Sequence, residues 1–594
     1  MNTLILLAAA AGSPALEPVV VTATRTELPA SEVLASVELI TGAELIMRPA
    51  AELSDALRFV PGVEPARLGG AGQQTSIFVR GTESNHVLVL MDGLRINPGT
   101  IGTAAIQNVA PDFVERVEIV KGPRSTLYGS DAIGGVINII SRDAEDGSSV
   151  QAGFGSFDTT TASFSAGFGD NATGATLAGA WFDSEGFPTR VGDDTDRGTE
   201  NTSFTGSAHA SVGAVNLGVR GWYSSGTTEY SEFTLAPVDQ DFENMTLAVT
   251  AEFEPTEAWS SRLMIGHAED NLEQNQSDDF IDTERNTVDW QNDIELSRST
   301  TLTAGLLWQD EEADAFSDFG FAVDAYASDI ATSQVYVQAQ GDYGPHRVLL
   351  GGAYTDHETF GGHATGNVEY GLAIAGGALM TLSAGTGFRA PDATDLYGVF
   401  SGNPDLEPEE STSLEIGFRQ PIGEQQSVSI AAFRNDIDDL VTFVPTGPFS
   451  GMNQNVDKAR IDGVEAAWQY DGDKWYAQAT VTLQDPRNET TDERLLRRAR
   501  ENYTAAIARR FGAHEVVLDV LYAGERRDFD AIDFVGFVQL DAYWLANLAA
   551  KVALGEHFTL VARIENLLDE DYELAHTYNT MGRSYFGAIR YEFR

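Results

Sequence analysis

The sequence predicts a transmembrane β-barrel of about 22 antiparallel strands, preceded by a small α+β domain. From about residue 148 to the end, apolar residues alternate with polar or small ones, which is typical of strands with two different faces. Residues 16–145 instead mix short apolar runs with compact helix patterns. No apolar run reaches the roughly 18 residues of a membrane-spanning helix, whereas a barrel spans with alternating segments of about 10 residues.

Length, charge and cysteine content exclude several classes of protein and of binding partner. The chain has 594 residues, too many for one ordinary soluble domain of roughly 100–200 residues. Lys and Arg number 37 against 89 Asp and Glu, a net charge of −52, which argues against nucleic acid and anionic lipid surfaces as partners. Because there is no cysteine, disulfides, thiolate metal sites and cysteine nucleophiles are excluded. Such a composition suits an exported protein.

The N-terminus begins with a short apolar stretch, residues 4–11, followed by Ser13-Pro14-Ala15. We interpret residues 1–15 as a secretory signal peptide with a small-x-small cleavage site. Its first residues carry no Lys or Arg, so a frayed hydrophobic N-terminus is the alternative.

The elements of the α+β domain can be placed in order. Residues 51–60 put Leu53, Ala56, Leu57 and Val60 on one helical stripe, and Pro61-Gly62 ends that helix. Three short apolar runs predict strands, and the first, HVLVLM, has the continuous pattern of a strand covered on both faces. The three predicted strands are residues 86–91, 114–120 and 135–140.

The remaining part of the chain supplies the barrel. About 445 residues, at roughly 20 residues per strand with its connection, make about 22 strands. The last segment, SYFGAIRYEFR at 584–594, places Tyr585, Ile589 and Phe593 on one face. Soluble β-sandwiches are the alternative architecture, but no Pro/Gly/Ser-rich linker separates sandwich-sized domains.

Several longer segments carry a family resemblance. They read SDALRFVPGV, SIFVRGTESNHVLVLMDGLRIN and VERVEIVKGPRSTLYGSDAIGGVINIIS in the first domain, and GFRAPDATDLYGVFSGNPDLEPEES, ARIDGVE and NLLDEDY later. In these motifs the chain resembles the TonB-dependent outer-membrane receptors, most closely their cobalamin-transporter branch. The resemblance covers residues 17–593. It implies that the α+β domain is a plug inside the barrel lumen.

The resemblance also implies a domain order. Residues 1–15 are the signal peptide, 16–25 the TonB box region, 26–145 the plug and 146–594 the barrel. The expected TonB box is EPVVVTA, whose extended chain would add a strand to periplasmic TonB. Its residues are Glu17, Pro18, Val19, Val20, Val21, Thr22 and Ala23. Taken alone, this motif also fits an ordinary edge strand; its position just before a plug favours the TonB box.

The branch further implies a ligand site where plug loops 68–76 and 97–105 meet barrel loops. Amide and hydroxyl side chains suit the amide fringe of a corrinoid. The residues carried over by position are Gln73, Gln74, Thr75, Ser76, Glu83, Ile101, Gly102, Arg497 and Arg498. Glu83 stands where the branch has an amide side chain and Gly102 where it has a hydroxyl, and the two arginines could instead line the barrel wall.

Charged residues in the plug need partners when they are buried. The resemblance suggests that Arg80 and Arg116 pair with barrel glutamates, with Glu465 as the candidate. Unpaired surface arginines are the alternative. The acidic stretch VGDDTDRGTEN at 191–201 predicts a Ca²⁺ site that uses Asp194 and Asp196, with help from Asp239 and Asp241. A solvated acidic loop is the alternative there.

Other chemistry finds no support in the sequence. The glycine-rich stretch 129–135 lacks the lysine of a phosphate-binding loop, since Gly135 and Val136 follow Gly134. The nine histidines form no metal pattern, and no nucleophile elbow or catalytic constellation is present. We therefore expect a protein that is not an enzyme and that requires no cofactor, apart from Ca²⁺ in its extracellular loops.

The expected function is active import of a scarce, bulky nutrient across the outer membrane of a Gram-negative bacterium. The first ligand is cobalamin or a related corrinoid, and the second is a ferric siderophore. A passive porin or surface adhesin is the alternative from a different class. We expect a monomer in outer-membrane lipid, with TonB and a small-molecule ligand as partners.

Overall fold

A computed structural model gives the architecture of the chain. It describes residues 19–20, 22–26, 28–47, 52–143, 147–170, 172–232, 234–318, 320, 322–447, 450–532 and 536–593. The helices among these residues are all too short or too polar to span a bilayer.

The first domain is a plug with short helices and strands. Its helices are α1 (Gly42–Met47), α2 (Leu53–Leu57) and α3 (Ser125–Tyr128), with single 3₁₀ turns at Ser84–His86, Ile106–Asn108 and Pro111–Phe113. Its strands are β1 (Val19–Val20), β2 (Leu28–Pro29), β3 (Val37–Thr41), β4 (Val63–Arg67), β5 (Thr75–Val79), β6 (Val87–Met91), β7 (Leu94–Arg95), β8 (Val114–Lys121) and β9 (Gly135–Ser141).

A five-stranded sheet in the order β3-β8-β9-β6-β7 forms the centre of the plug, and β4–β5 is a separate hairpin. All five residues of β6 are buried, as its continuous apolar pattern predicts. The stripe predicted on α2 packs against this sheet, since Leu53, Leu57 and Val60 belong to its core. The helix itself ends at Leu57, earlier than predicted, because the next turn tightens to the bond from the Val60 N–H to the Leu57 carbonyl, 3.0 Å.

Twenty-two antiparallel strands form the closed barrel, as the sequence predicted. The first and last strands pair along their length, so no sheet edge is left open. In chain order they are β10 (Ser148–Gly155), β11 (Thr160–Gly169), β12 (Thr173–Phe187), β13 (Arg197–Val212), β14 (Val215–Ser231), β15 (Pro237–Thr256), β16 (Trp259–Gln274), β17 (Phe280–Ser297), β18 (Thr300–Asp318), β19 (Val323–Tyr343), β20 (His346–His357), β21 (Gly361–Ile374), β22 (Ala378–Arg389), β23 (Glu409–Ile422), β24 (Gln426–Gly447), β25 (Ser450–Asp471), β26 (Trp475–Asn488), β28 (Glu501–Phe511), β29 (His514–Ala523), β32 (Tyr543–Leu554), β33 (Phe558–Glu565) and β34 (Ser584–Phe593).

Three short strands and one helix lie in the connections. Strand β27 (Glu493–Arg494) extends the edge of β26, β30 (Arg526–Phe529) pairs with β31 (Phe537–Leu540), and α4 (Ala393–Tyr397) follows β22. All four lie at the barrel end with the longer connections, which we call the loop end. The opposite end, with tight turns, is the turn end.

Side-chain alternation separates the two barrel faces. In β19, Val335 and Val337 are 57% and 47% exposed on the outer face, whereas Gln334, Tyr336 and Gln338 on the lumen face are at most 2% exposed. The last strand repeats this pattern, with Tyr585, Ile589 and Phe593 outward and Ala588 and Arg590 buried. An apolar outside and a polar inside that is filled by the plug match a membrane-spanning barrel.

Candidate functional site

An open cavity of about 650 Å³ lies between the tips of the plug loops and the loop end of the barrel. We call it the apical cavity. Its volume is within the usual range of small-molecule sites. The plug contributes residues from Leu68 to Gln74 and from Ile101 to Asn108, and the barrel contributes the upper ends of β14–β17 and several loops.

Four of the predicted ligand residues line this cavity: Gln73, Gln74, Ile101 and Arg497. Gln74 is exposed, so its amide is free to meet a ligand. Gln73 is buried and its Nε2 donates to the Glu229 carbonyl at 2.6 Å, which fixes the plug loop to β14. Arg497 Nε lies 2.9 Å from Asp528 Oδ1, and this ion pair holds both side chains at the cavity wall.

The other five predicted residues lie elsewhere among the described residues. Thr75 is 1% exposed and its hydroxyl donates to the Gln73 carbonyl at 3.0 Å, a contact that shapes the loop from beneath. Gly102 lines a separate, smaller cavity near Asp392. Ser76, like Thr75, lies in the β4–β5 hairpin and pairs with Ala66.

Glu83 and Arg498 contact each other rather than the cavity. Arg498 Nη2 lies 2.5 Å from the Glu83 carboxylate and 3.2 Å from the Thr82 carbonyl, and its guanidinium stacks 4.1 Å from the centre of the Phe78 ring. The arginine is 4% exposed. It therefore binds the plug to the loop after β26, and Glu83, which departs from the branch pattern, is its ion-pair partner.

Sequence reasoning missed the aromatic residues of the cavity. Tyr230, Phe242, Phe529 and Tyr578 line it from four separate barrel segments. No local motif marks them, because only the closed barrel brings strands so distant in sequence together. They give the cavity apolar surface between the polar tips of the plug loops.

A buried ion-pair network joins plug to barrel beside the β4–β5 hairpin. Arg80 Nε lies 3.1 Å from Glu465 Oε1, as the resemblance suggested, and Arg80 Nη1 forms a second ion pair with Glu415 Oε2 at 2.5 Å. Lys121 Nζ lies 3.0 Å from the same Glu465. Although burial alone would lower the pKa of Arg80, the two carboxylates raise it above its ordinary value. Arg80 is therefore charged and ion-paired where the plug meets the barrel.

The expectation for Arg116 is wrong. Its guanidinium pairs with two plug glutamates, Glu115 at 2.8 Å and Glu118 at 3.0 Å. Residues two apart on a strand share a face, so Glu118 of the same strand, β8, lies nearer than any carboxylate of the barrel.

The end of the predicted TonB box, Thr22-Ala23, is held inside the lumen. The Thr22 N–H donates to Glu118 at 2.9 Å, and the Tyr128 hydroxyl donates to the Thr22 carbonyl at 3.0 Å. The backbone of Val19 and Val20 pairs with β2, and Ala23 is buried. Glu17, Pro18 and Val21 lie outside the described residues.

Arg25 fixes this segment to the barrel wall. It forms an ion pair with Asp289 of β17 and donates to the Tyr336 hydroxyl of β19 at 3.1 Å. Its guanidinium lies 4.5 Å from the centre of the Tyr128 ring and 4.9 Å from that of Tyr336. These contacts place one arginine between plug and barrel, immediately after the predicted TonB box.

The acidic residues predicted to bind Ca²⁺ lie in two places. Asp194 and Asp196 are exposed in the loop after β12, while Asp239 and Asp241 both accept hydrogen bonds from Asn275. Within the described ranges, no three or more His, Cys, Asp or Glu side chains are grouped to hold a metal ion. A Ca²⁺ site here would need the loops to rearrange.

Family models match both domains. Residues 29–136 match the TonB-dependent receptor plug domain and residues 143–567 match the TonB-dependent receptor-like β-barrel. The curated vitamin B12 transporter of Vibrio vulnificus is 31% identical over 613 residues, covering 97% of this chain and 95% of the relative. That of Photobacterium profundum is 31% identical over 605 residues, covering 98% and 97%.

Solved structures show the same fold at lower identity. The siderophore receptor PirA of Acinetobacter baumannii has a TM-score of 0.81 and 17% identity, covering 95% of this chain and 99% of its own. A mutant of the ferric enterobactin receptor of Pseudomonas aeruginosa has a TM-score of 0.81 and 18% identity, covering 97% and 100%. The chain belongs to the family of TonB-dependent receptors, which reside in the outer membrane of Gram-negative bacteria.

Proposed function

We propose that this receptor imports cobalamin or a closely related corrinoid across the outer membrane, powered by TonB. The observation that carries the proposal is the apical cavity, which is lined by exposed Gln74 and half-buried Ile101 of the plug and by Tyr230 and Phe242 of the barrel. Amide side chains beside aromatic ones suit a ligand with an apolar body and an amide fringe. The full-length similarity to vitamin B12 transporters supports the same ligand.

The charges of the cavity bear on the alternative, a ferric siderophore. Three acidic residues line it, Glu232, Asp270 and Asp528, against two arginines, Arg190 and Arg497. Arg497 is already paired with Asp528. The cavity lining carries no surplus of positive charge, so it would not attract an anionic ferric complex. A neutral corrinoid needs no such attraction. The siderophore receptors of similar structure share 17–18% identity with this chain and support the fold only.

TonB acts, in this proposal, on residues 17–23. Pulling on them would break the contacts of Thr22 with Glu118 and Tyr128 and of Arg25 with Asp289. The pull is thereby transmitted to β8 and α3 of the plug, which carry Glu118 and Tyr128. The protein itself supplies no energy in this scheme; it supplies the barrel, the plug and the ligand site.

Equilibrium binding to detergent-purified protein tests the ligand. We expect cyanocobalamin to bind tightly and with one site per chain, while a panel of ferric catecholate, hydroxamate and carboxylate siderophores does not bind at the same concentrations. Tight binding of one siderophore without binding of cyanocobalamin would replace the corrinoid by that siderophore.

Ca²⁺ binding by Asp194, Asp196, Asp239 and Asp241 is a separate proposal that rests on loop sequence. Isothermal calorimetry with Ca²⁺ tests it, with the Asp194→Ala/Asp196→Ala variant as the control. We expect heat from the wild type and none from the variant; equal heats would exclude this loop.

A further inference from the structure

Among the described residues, the plug–barrel ion pairs in which both side chains are buried are confined to one part of the barrel wall. They reach Asp289 of β17, Glu369 of β21, Glu409 and Glu415 of β23, and Glu465 of β25. The pairs of Asp92 with Arg220 of β14 and of Glu83 with Arg498 are part-exposed. The pair Arg124–Glu369 measures 2.6 Å and His86–Glu409 measures 3.0 Å. We call β17–β25 the ion-paired wall. Breaking buried pairs is costly, because each leaves an uncompensated charge.

Another part of the barrel differs from the ion-paired wall in its contacts with the plug. It consists of the six strands β10–β12 and β32–β34, which adjoin one another in the closed barrel. We call them the neutral wall. In the part of the chain that the structure describes, no ion pair joins the plug to this wall. Asp112 of the plug hydrogen-bonds there to Gln151 and Ser163, at 3.2 and 2.6 Å, and Ala178 and Ala180 pack against the plug core. The plug thus contacts this wall through hydrogen bonds and small apolar side chains, without an ion pair.

A chain of small cavities follows the same wall. The first, of about 110 Å³, lies against β10–β12, β33 and β34 and shares Gly72, Asn108 and Phe242 with the apical cavity. The second, of about 90 Å³, shares Leu45, Arg563 and Glu565 with the first and reaches the part-exposed Glu38 and Glu44 of the plug. We call the two together the seam. It continues the apical cavity down one side of the plug.

The lining of the seam includes an arginine with spare donors. Arg563 of β33 has a side chain 9% exposed and lies 3.3 Å from Glu565. Its Nε and Nη1 are buried and have no hydrogen-bond partner among the described residues. Small neutral residues, Ala180, Val561 and Ala588, line the same space. A buried guanidinium with free N–H groups suits the amide or carboxylate oxygens of a passing ligand.

We propose that the ligand passes between the plug and the neutral wall, and that Arg563 contacts it on the way. This inference rests on the proposed import function. As it stands the seam is too narrow for a bulky ligand, so the plug must move away from the neutral wall. It can do so while the ion pairs to β17–β25 hold its other side.

Two buried, lumen-facing residues can test, without any ligand, whether the plug separates more readily from the neutral wall than from the ion-paired wall. Val561 of β33 and Thr381 of β22 are each three residues from the start of their strands, and are 1% and 5% exposed. The native chain has no cysteine, so Val561→Cys and Thr381→Cys report single sites. In purified protein in mild urea, we expect a water-soluble maleimide to label position 561 at least tenfold faster. Equal rates, or faster labelling at 381, would overturn the proposal.

Cross-links test the path in cells. At the neutral wall, the Ser163 hydroxyl of the barrel lies 2.6 Å from Asp112 of the plug. On the other side of the plug, Ser125 Oγ lies 3.0 Å from where a Cβ at Gly387 of the barrel would stand. Each pair is replaced by cysteines and joined by the same short thiol linker. We expect the 112–163 link to abolish cyanocobalamin uptake while surface binding persists, and the 125–387 link to leave uptake intact. The reverse pattern, or uptake through both links, contradicts this path.

Arg563→Gln tests the contact in transit. Uptake should slow about fivefold with an unchanged Kd for cyanocobalamin. Arg262→Gln, which changes a part-exposed arginine of β16 paired with Glu252, should have no effect. Unchanged uptake in Arg563→Gln would remove this residue from the path. If the wild type takes up no cyanocobalamin, the ligand proposal fails, and the two labelling rates still decide the path.

Discussion

Arg80 of the plug and Glu465 of the barrel form a bidentate ion pair in which Nε–Oε1 and Nη2–Oε2 both measure 3.1 Å. The side chains are 5% and 7% exposed. Planar guanidinium and carboxylate groups fit this two-point geometry, which fixes orientation as well as distance. The pair therefore defines how the plug sits against β25.

Removing one partner should loosen the plug. We expect Glu465→Gln to destabilise the plug–barrel contact by about 3–5 kcal/mol, because Arg80 and Lys121 lose their shared carboxylate. Planar-bilayer recordings should then show a raised basal conductance. Arg434→Ala is the control, since its bidentate pair with Asp462 is 48% exposed on both sides and contributes about 0–1 kcal/mol. Equal conductance in both variants would contradict this role of Glu465.

Releasing Arg25 should expose the predicted TonB box. In Arg25→Ala the contacts with Asp289, Tyr336 and Tyr128 are lost. The free-energy cost of moving the N-terminal segment out of the lumen therefore falls. We expect the ligand-free variant to bind the periplasmic domain of TonB about tenfold more tightly, which corresponds to about 1.4 kcal/mol. Fluorescence anisotropy of labelled TonB measures this. An affinity equal to that of the wild type would show that Arg25 does not hold the segment.

Neighbouring plug residues should differ sharply in ligand binding. Gln74 is exposed in the apical cavity, whereas Thr75 is buried with its hydroxyl bonded to the Gln73 carbonyl. Loss of one hydrogen bond costs about 1 kcal/mol, so Gln74→Ala should weaken cyanocobalamin binding roughly fivefold. Thr75→Ala should change it less than twofold. A larger loss in Thr75→Ala than in Gln74→Ala would place the ligand elsewhere.

Plug stability should depend on pH through Glu64 of β4. Burial raises the pKa of its carboxyl from 4.5 to about 7, against the lowering effect of the Ala499 N–H, which donates to it at 3.1 Å. Between pH 4.5 and 7 the folded plug holds a proton that the unfolded chain releases, so this contribution to stability falls as pH rises. Above pH 7 the penalty is complete, about 3 kcal/mol at most.

Hydrogen exchange of the plug sheet measures that dependence, corrected for intrinsic exchange rates. We expect wild-type protection to fall from pH 5 to pH 8 relative to Glu64→Gln, which cannot ionise. Parallel pH profiles of the two proteins would mean that Glu64 keeps an ordinary pKa.

Periodicity made the architecture predictable from sequence. The alternation of Val150 and Phe154 placed both on the outer face, where they are 42% and 68% exposed. The stripe of Leu53 and Leu57 marked the plug core in the same way. Both patterns are local and follow from burial of one face.

Partners across the plug–barrel boundary were harder to predict. Arg116 finds Glu118 on its own strand, and Arg498 binds Glu83 and plug carbonyls instead of the ligand cavity. Phe242 and Tyr578 reach the cavity from strands and loops far apart in the chain. Such contacts depend on loop paths and on closure of the barrel, which no local pattern encodes.

If TonB drives uptake through residues 17–23, their removal should abolish transport and leave ligand binding intact. The direct measurement is uptake of labelled cyanocobalamin by cells that express either the wild type or the variant lacking these residues, with surface binding measured in parallel. We expect the variant to bind cyanocobalamin like the wild type and to accumulate none. Accumulation at the wild-type rate in the variant would contradict this expectation and indicate a passive channel.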